Sequence, residues 1–210
     1  MMLKGRHFKL TKNQIIQSTD DRRVFNYLVS GYVKRYLIAN DGSLGVQVIY
    51  GPGDVFPITL AFSILFDQAI NESPETYYYE SMTEAEIYTI NEIDLKESVQ
   101  NDPKLYRDLM SVAGKRLHST LHGLENLTLK SSYFRVAHEL LYIAQRFGEV
   151  SESGVKIMIP LTHQDLADIL SLTRETVSTC MVQLREKGLI STTKNIVVRD
   201  MKKLEEEAYS

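Results

Sequence analysis

The first half of the chain alternates short runs of apolar residues with residues that favour turns. The runs share β-branched and aromatic side chains, and they cover residues 24–29, 32–38, 44–50, 77–81 and 85–90. Asp-Gly and Pro-Gly pairs in 40–42 and 51–54 separate them. This spacing predicts antiparallel strands in a sandwich or barrel. The apolar run 60–70 interrupts the pattern and predicts a short helix over one mouth of the barrel.

A helical pattern begins near Ile93 and continues to about Leu129. Asp102 and Pro103 suit the start of a helix, because proline is tolerated at the first helical position. Along this segment, apolar or small side chains recur every three or four residues, at Met110, Gly114, Leu117, Leu121 and Leu124. Such a seam predicts pairing with a second copy of the chain. The alternative that the helix packs only inside its own subunit stays open.

The last third of the chain predicts three helices and a small hairpin. A periodic helix over 133–147 is followed by a short strand over 155–159, and a helical pair begins after Pro160. Residues 189–190 and 196–198 flank a polar turn and predict a hairpin. Three helices with a hairpin is the layout of a winged helix-turn-helix.

The helical pair carries the residues with the clearest chemistry. Thr162 and Thr173 each precede a helix, where a hydroxyl satisfies a free backbone N–H group. Asp165, three residues after Thr162, strengthens the first cap. The second helix is expected to bury Val177, Met181 and Leu184 and to project Arg174, Glu175, Ser178 and Thr179. Polar side chains at a helix N-terminus are positioned to read the DNA major groove.

This segment resembles the helix-turn-helix of the Crp/Fnr family, the cyclic-AMP receptor protein and its relatives. The similarity centres on Thr173-Arg174-Glu175-Thr176-Val177-Ser178 and continues through Gly188-Leu189-Ile190. Upstream, Lys115-Arg116-Leu117 falls in the position of the family's dimerisation helix, and residues 51–56 resemble a turn of its β-roll. The resemblance therefore covers nearly the whole chain in the same order.

The resemblance implies an α+β fold in three parts. Residues 1–93 would form an antiparallel β-roll, a double-stranded β-helix of the jelly-roll kind, that serves as a sensor domain. Residues 94–129 would form the dimerisation helix region, and 130–210 the winged helix-turn-helix that binds DNA. A homodimer would place two recognition helices about 34 Å apart and would require a pseudo-palindromic site. RNA polymerase is a further partner that the resemblance implies.

The resemblance also implies roles for single residues. Arg174 would contact guanine in a bidentate manner and Glu175 would accept a hydrogen bond from cytosine, chemistry that suits both side chains. Ser178 matches a base-contacting serine of the fumarate–nitrate branch. Thr179 departs from the pattern, since many members have a second arginine there, and it leaves the base at that step open. The phosphate-contacting positions correspond to Thr162, His163, Gln164, Thr173 and Thr176.

Charge alone does not identify a nucleic-acid-binding protein here. The chain has 24 Lys and Arg against 27 Asp and Glu, a formal net charge of −3. Residues 160–200 contain five basic and five acidic side chains, so the helix-turn-helix lacks a strong basic patch. Two alternatives stay open. In the first, Arg174 and Glu175 would be only a solvated charged pair at a helix start. In the second, the protein would be an interaction module that has kept this fold but lost DNA binding.

A cyclic-nucleotide effector is not expected. In the cyclic-AMP-binding members, a glutamate after a Gly-Asp turn holds the ribose and an arginine pairs with the phosphate. Here residues 55–59 follow Gly53-Asp54 without a glutamate, and residues 36–95 include ten acidic side chains but no Lys, Arg or His. A buried phosphate needs cations or many donors. An uncharged effector against residues 77–79 and 56–66, or ordinary core packing of these residues, both stay open.

Composition bears on cofactors and compartment. Cys180 is the single cysteine, too few for a disulfide or an iron–sulfur cluster, and it is expected to pack in the core. His118 and His122 lie one helical turn apart. Without further ligands nearby, we expect them on polar surface rather than in a metal site. The strands predicted over 24–90 lack the histidine cluster of a cupin-like enzyme. We therefore expect a cytoplasmic, non-enzymatic regulator without a cofactor or a membrane segment.

Overall fold

A computed structural model describes residues 5–17, 24–39, 42–66, 77–129, 131–193 and 195–209. The chain divides into two compact units, Met1–His118 and Ser119–Ser210. The boundary falls within the longest helix, which therefore contributes residues to both units. None of the helices in the described ranges is both long enough and apolar enough to cross a membrane.

The first unit contains two four-stranded antiparallel sheets. The strands are β1 Arg6–Leu10, β2 Ile15–Gln17, β3 Val24–Ser30, β4 Val33–Ile38, β5 Leu44–Tyr50, β6 Val55–Phe56, β7 Tyr78–Ser81 and β8 Ala85–Asn91. One sheet has the strand order β1-β8-β3-β6, and the other has the order β2-β7-β4-β5. The antiparallel β-roll expected from the sequence is confirmed.

Apolar side chains from both sheets meet in one core. Leu28, Val33 and Phe56 in this core are fully buried. The rings of Tyr50, Phe56 and Tyr79 form a cluster, with centroids 4.9 Å to 6.1 Å apart. Aromatic pairs at such distances add to the stabilisation that burial provides. The chain's own aromatic side chains thus occupy the space between the sheets.

The turn between β5 and β6 lies where the sequence predicts it. The Asp54 N–H donates to the Gly51 carbonyl at 3.0 Å, and the Gly51 N–H donates to Asp54 Oδ2 at 2.8 Å. Gly53 has a φ of +89°, which glycine adopts at little cost. The Gly53 N–H donates to the Leu28 carbonyl at 2.8 Å, which ties the turn to β3.

Three helices complete the first unit: α1 Ile58–Phe66, α2 Glu92–Asn101 and the start of α3 Pro103–Thr128. They pack on a second apolar cluster made of Phe25, Val55, Ala61, Ile90, Leu95, Leu105 and Leu109. The Lys104 N–H donates to Asp102 Oδ1 at 2.9 Å, so the predicted helix start at Asp102 and Pro103 is confirmed. The helix predicted over 60–70 is confirmed as α1, and positions 67–70 lie outside the described residues.

The second unit has the predicted winged-helix layout. Its elements are α4 Ser132–Phe147, β9 Gly148–Ser151, β10 Gly154–Ile157, α5 His163–Leu170, α6 Arg174–Glu186, β11 Ile190–Ser191, β12 Val197–Val198 and α7 Met201–Ala208. The four strands form one antiparallel sheet in the order β11-β12-β10-β9. Strand β9 and helix α7 are additions that the sequence pattern did not predict.

Helix α7 packs against the rest of the second unit through apolar and polar contacts. Leu204 and Ala208 are almost completely buried. The Tyr133 hydroxyl of α4 donates to Glu207 Oε1 at 2.8 Å, and Lys187 Nζ donates to the same oxygen at 2.5 Å. The hydrogen bond from Lys187 lowers the pKa of the Glu207 carboxyl. α7 is thus part of the core of this unit.

Two glycines of the β-roll have a positive φ, but only one of them is crowded by neighbouring atoms. Substituting each one therefore distinguishes the cost of backbone strain from the cost of steric overlap. Gly31 has a φ of +82° and Gly53 a φ of +89°. A Cβ at Gly53 would meet no described atom within 4 Å, whereas a Cβ at Gly31 would overlap the Glu84 carbonyl oxygen and lie 2.7 Å from Ala85 Cα. We expect Gly53→Ala to lower the free energy of unfolding by about 1 kcal/mol. Gly31→Ala should lower it by at least about 2 kcal/mol.

Urea unfolding followed by circular dichroism measures both losses, and Gly53→Ala serves as the control for positive φ alone. Equal losses in the two variants would contradict the predicted overlap at position 31.

Candidate nucleic-acid interface

The first helix of the helical pair begins with a reciprocal cap. The Asp165 N–H donates to Thr162 Oγ1 at 3.0 Å, and the Thr162 N–H donates to Asp165 Oδ2 at 2.9 Å. These two bonds satisfy backbone groups that the helix itself leaves without partners. Further along, α5 buries Leu166, Ala167 and Leu170. The cap predicted at Thr162 is confirmed.

The turn between α5 and α6 is short and left-handed. Ser171 has φ 50° and ψ 48°, the conformation in which many helices end. The Leu172 N–H donates to the Ala167 carbonyl at 3.0 Å. From α4, the Arg135 guanidinium donates to the Leu170 carbonyl. Backbone groups at the end of α5 are thereby satisfied within the unit.

Helix α6 begins at a second cap and presents one polar face. The Thr176 N–H donates to Thr173 Oγ1 at 3.2 Å, so the predicted cap is confirmed. The three side chains predicted to be buried are buried: Val177, Met181 and Leu184. On the polar face, Arg174, Glu175 and Thr179 are exposed, and Ser178 is half-buried. This face offers a guanidinium, a carboxylate and hydroxyls near the helix N-terminus.

Two hydroxyls of the polar face have internal hydrogen bonds. Ser178 Oγ lies 2.8 Å from His163 Nδ1, which joins α6 to the first residue of α5. Thr179 Oγ1 donates to the Glu175 carbonyl at 3.0 Å, so its proton is already used within the helix. The sequence pattern did not predict the His163–Ser178 contact, because the two residues lie on different helices.

The residues predicted to contact phosphates lie at the N-terminal ends of α5 and α6. Thr162, Gln164 and Thr173 are exposed, whereas His163 and Thr176 are half-buried. Gln164 Nε2 donates to Asp168 Oδ1 at 2.7 Å. The hydroxyls of Thr173 and Thr176 are 2.9 Å apart and share a hydrogen bond. The structure brings these residues near the N-terminal ends of two helices, where backbone N–H groups favour anions.

Cys180 points away from the polar face of α6. Its side chain is 5% exposed, and burial raises the pKa of its thiol. A thiol of this kind forms little thiolate and reacts slowly. The prediction that Cys180 packs in the core is confirmed.

Helix α3 carries a row of exposed leucines. Leu117, Leu121 and Leu124 are 61%, 49% and 57% exposed, and Leu127 continues the row at 66%. Gly114 is exposed and Met110 is half-buried at the start of the same row. A contiguous apolar stripe on a helix surface marks an interaction site. Pairing with a second copy of the chain stays a prediction.

The prediction that His122 lies on polar surface is wrong. Its side chain is only 8% exposed, and its ring stacks on those of His138 and Tyr142, with centroid distances of 4.3 Å and 4.0 Å. His118, one helical turn earlier, is exposed as expected. The rings that cover His122 belong to α4, and the periodicity of α3 gives no information about such a contact.

Tyrosines 77–79 have partners within the first unit. Tyr79 is buried in the core between the sheets. The Tyr78 ring stacks on Tyr36 at a centroid distance of 5.5 Å, and the Arg35 guanidinium carbon lies 4.2 Å from the Tyr77 ring centroid. These contacts agree with the core and sheet packing that the sequence left open for these residues.

Known proteins resemble this chain in both sequence and fold. The Crp-like helix-turn-helix domain family matches residues 134–207. A "probable transcriptional activator" of Rhizobium leguminosarum bv. viciae is 31% identical over 194 residues, 91% of this chain and 76% of that protein. A CRP-like cAMP-activated global transcriptional regulator of Mycobacterium tuberculosis is 27% identical over 182 residues, 86% and 78% of the two chains. FixK2 from Bradyrhizobium japonicum superposes with a TM-score of 0.76 at 24% identity, over 97% of each chain.

The capped helical pair and the hairpin that follows it define a DNA-binding protein of the winged helix-turn-helix class. The chain belongs to the Crp/Fnr family of transcription regulators, and its helix-turn-helix binds DNA. The resemblance read from residues 173–178 is confirmed.

Proposed function

We propose that this transcription regulator acts as a homodimer that reads a pseudo-palindromic DNA site with two copies of α6. The observation that carries the proposal is the polar face of α6, where Arg174 and Glu175 are exposed directly after the Thr173 cap. Two such helices about 34 Å apart would enter successive major grooves on one face of the duplex. A two-fold symmetric protein then favours an inverted repeat.

The base-reading roles follow the chemistry of the exposed side chains. Arg174 would donate two hydrogen bonds to one guanine, and Glu175 would accept a hydrogen bond from a cytosine amino group. Ser178 is bonded to His163 Nδ1 at 2.8 Å, which restricts the rotamer of its hydroxyl. We therefore assign His163 a second role, that of a positioning residue for Ser178. Thr179 has donated its proton within the helix, so it would act towards DNA as an acceptor or by apolar contact.

The phosphate-contacting roles rest on the two helix starts. Thr162, His163 and Gln164 surround the start of α5, and Thr173 and Thr176 surround the start of α6. Backbone N–H groups and the helix dipole favour a phosphate at such a position. These contacts would orient the protein on the duplex without reading its sequence.

The Arg174→Ala variant tests the direct reading of sequence. Purified protein and variant are each used to select duplexes from a random-sequence library, and affinity for the selected site is then measured by fluorescence anisotropy at fixed salt. The parent should enrich an inverted repeat. The variant should lose about 1–3 kcal/mol of binding free energy at the guanine that Arg174 reads, and its specificity there should relax.

Arg185→Ala is the matched control for this experiment. Arg185 is exposed in the last turn of α6, about 16 Å from Arg174 along the helix axis at 1.5 Å per residue. The control removes the same charge, and it should keep the enriched sequence. The recognition role assigned to Arg174 would be overturned if the parent enriched no DNA sequence, or if Arg174→Ala enriched the same sequence as the parent. Either result would favour an interaction module that does not read DNA.

The leucine row of α3 is the surface we propose for the dimer. Its predicted part runs from Met110 and Gly114 to Leu117, Leu121 and Leu124, and Leu127 continues it. A Cβ at Gly114 would meet no described atom within 4 Å, so the described residues of one chain place no steric demand for glycine there. Close approach of a second helix supplies such a demand. Burial of the leucines would then stabilise the dimer by about 25 cal/mol per Å² of apolar surface.

The dimer proposal is tested with Leu121→Glu. A carboxylate in the seam would be buried without a partner, so we expect the variant to be monomeric at micromolar concentration by size-exclusion chromatography with light scattering. Val150→Glu is the control, because Val150 is 91% exposed on β9 and lies outside the seam. A dimeric Leu121→Glu protein would show that the subunits pair elsewhere.

We propose that the β-roll does not bind a cyclic nucleotide. A phosphate between the sheets would displace the packed rings of Tyr50, Phe56 and Tyr79. The anion would rely on Arg116 of α3, whose guanidinium carbon lies 5.9 Å from the Tyr50 ring centroid. The segment 55–59 supplies no glutamate for a ribose. An uncharged effector would instead have to compete with the contacts of Tyr77 and Tyr78.

Calorimetric titration with cyclic AMP and cyclic GMP tests the proposal that the β-roll binds no cyclic nucleotide. We expect no saturable heat in the micromolar range, and we expect the selected DNA site to bind equally well with and without either nucleotide. Micromolar binding of either nucleotide would contradict the proposal. If Arg116→Ala abolished that binding, Arg116 would be the cation that replaces the arginine of the cyclic-AMP-binding members.

Further parts of the proposal follow from the same organisation. We assign residues 1–93 to a sensor domain, 94–129 to the dimerisation region and 130–210 to the DNA-binding domain. The regulator would act in the cytoplasm and contact RNA polymerase, because its target DNA and the polymerase share that compartment. It would catalyse no reaction, and DNA reading by α6 would require no cofactor.

A further inference from the structure

A buried polar cluster joins the last turns of α3 to α4 within the second unit. His122 and Asn126 of α3 are 8% and 2% exposed, and His138 and Glu139 of α4 are 2% and 7% exposed. Glu125, on the neighbouring turn of α3, is exposed. Buried groups of this polarity are uncommon in a protein core unless they bind one another or a ligand.

Three of these side chains converge like the ligands of a metal ion. One ring nitrogen of His122, one of His138 and one carboxylate oxygen of Glu125 lie within 4.8 Å of one another. His122 therefore has two further candidate ligands nearby, Glu125 from α3 and His138 from α4. His118 is exposed and does not belong to this convergent group.

The hydrogen bonds of both histidines leave the same ring nitrogen available. His122 Nε2 lies 3.2 Å from Glu139 Oε2, and His138 Nε2 lies 2.9 Å from the Tyr209 hydroxyl. His138 Nδ1 is buried and has no hydrogen-bond partner among the residues that the structure describes. Metal-bound histidines typically show this arrangement, in which the second ring nitrogen donates to a carboxylate or another oxygen.

We propose that His122, His138 and Glu125 bind one divalent ion of the zinc class. Both histidines ligate through Nδ1, while Glu139 and Tyr209 orient the rings from behind. Two imidazoles and one carboxylate suit Zn²⁺, Co²⁺ or Ni²⁺, whereas Mg²⁺ and Ca²⁺ prefer oxygen ligands alone. A water molecule completes the tetrahedron, because Glu125 keeps the site open to solvent.

Binding requires a small local rearrangement. Metal–ligand bonds of 2.0–2.2 Å put the ligand atoms of a tetrahedral site about 3.4 Å apart. Because the three ligand atoms lie within 4.8 Å of one another, they must approach by up to about 1.4 Å. The rings of His122 and His138 stack with 12° between their planes. Because a nitrogen lone pair lies in its ring plane, one ring must turn about χ2. The ion then links α3 to α4 and stabilises this unit.

The test uses full-length, tag-free protein that has been treated with a chelator and then titrated with Co²⁺. Ligand-field absorption in the visible range reports the ion directly, and Zn²⁺ competition gives its affinity. We expect one equivalent per chain and a rise in melting temperature. Glu125→Gln should weaken binding at least about tenfold. This variant changes an exposed side chain, so its fold without metal should be that of the parent.

His118→Gln is the matched control, and it should bind Co²⁺ with the parent's affinity and spectrum. His138→Gln should abolish binding and is checked for folding by circular dichroism. The proposal is overturned by absence of stoichiometric binding to the parent, by parent-like affinity in Glu125→Gln, or by loss of the spectrum in His118→Gln. None of these measurements uses DNA, so they are independent of the proposed recognition roles.

Discussion

The left-handed turn at Ser171 determines the direction in which α6 leaves α5. A residue with a Cβ adopts φ 50° at a cost, so the surrounding hydrogen bonds must favour this conformation. The Arg135 guanidinium from α4 and the Leu172 N–H both bind carbonyl groups of α5. Because the Thr173 cap follows at once, the position of Arg174 depends on this turn. The orientation of the face proposed to read DNA therefore depends on hydrogen bonds that satisfy the backbone at the junction of α5 and α6, one of them donated by Arg135 of α4.

Near-neutral charge changes how such a face can recognise DNA. Residues 160–200 balance five basic with five acidic side chains, so release of counterions contributes less than in a strongly basic domain. In the proposed complex, directed hydrogen bonds would then carry a larger share of the binding free energy. Several of the side chains are already ordered by bonds to one another, as in the pairs His163–Ser178 and Thr173–Thr176. In the proposed complex, this order would lower the entropy lost when these side chains contact bases and phosphates.

Features that arise from neighbours in the sequence were predictable, and features that arise from distant packing were not. Hydroxyls before a helix, as at Thr162, and the Pro-Gly turn at 51–54 act through local backbone groups, so short patterns reveal them. His122 illustrates the other case. Its place on an exposed helix indicated a surface residue, yet α4 covers it. The His163–Ser178 bond likewise depends on a partner that periodicity does not identify. Strand β9 is a different case: it pairs with the neighbouring strand β10, but residues 148–151 contain one large apolar side chain, too few to indicate a strand.

The docking of α7 has a consequence for the order in which the second unit folds. Helix α4 has several side chains with no exposed surface, including Val136, Ala137 and Leu140. Helix α7 packs against α4, and its Leu204 and Ala208 are buried. The ribosome synthesises α7 only after the helical pair and the hairpin. During translation, the apolar core around α4 is therefore incomplete until the distant segment α7 has been synthesised. Such non-local closure slows folding and leaves a nascent chain with exposed apolar surface, a state that favours association with chaperones.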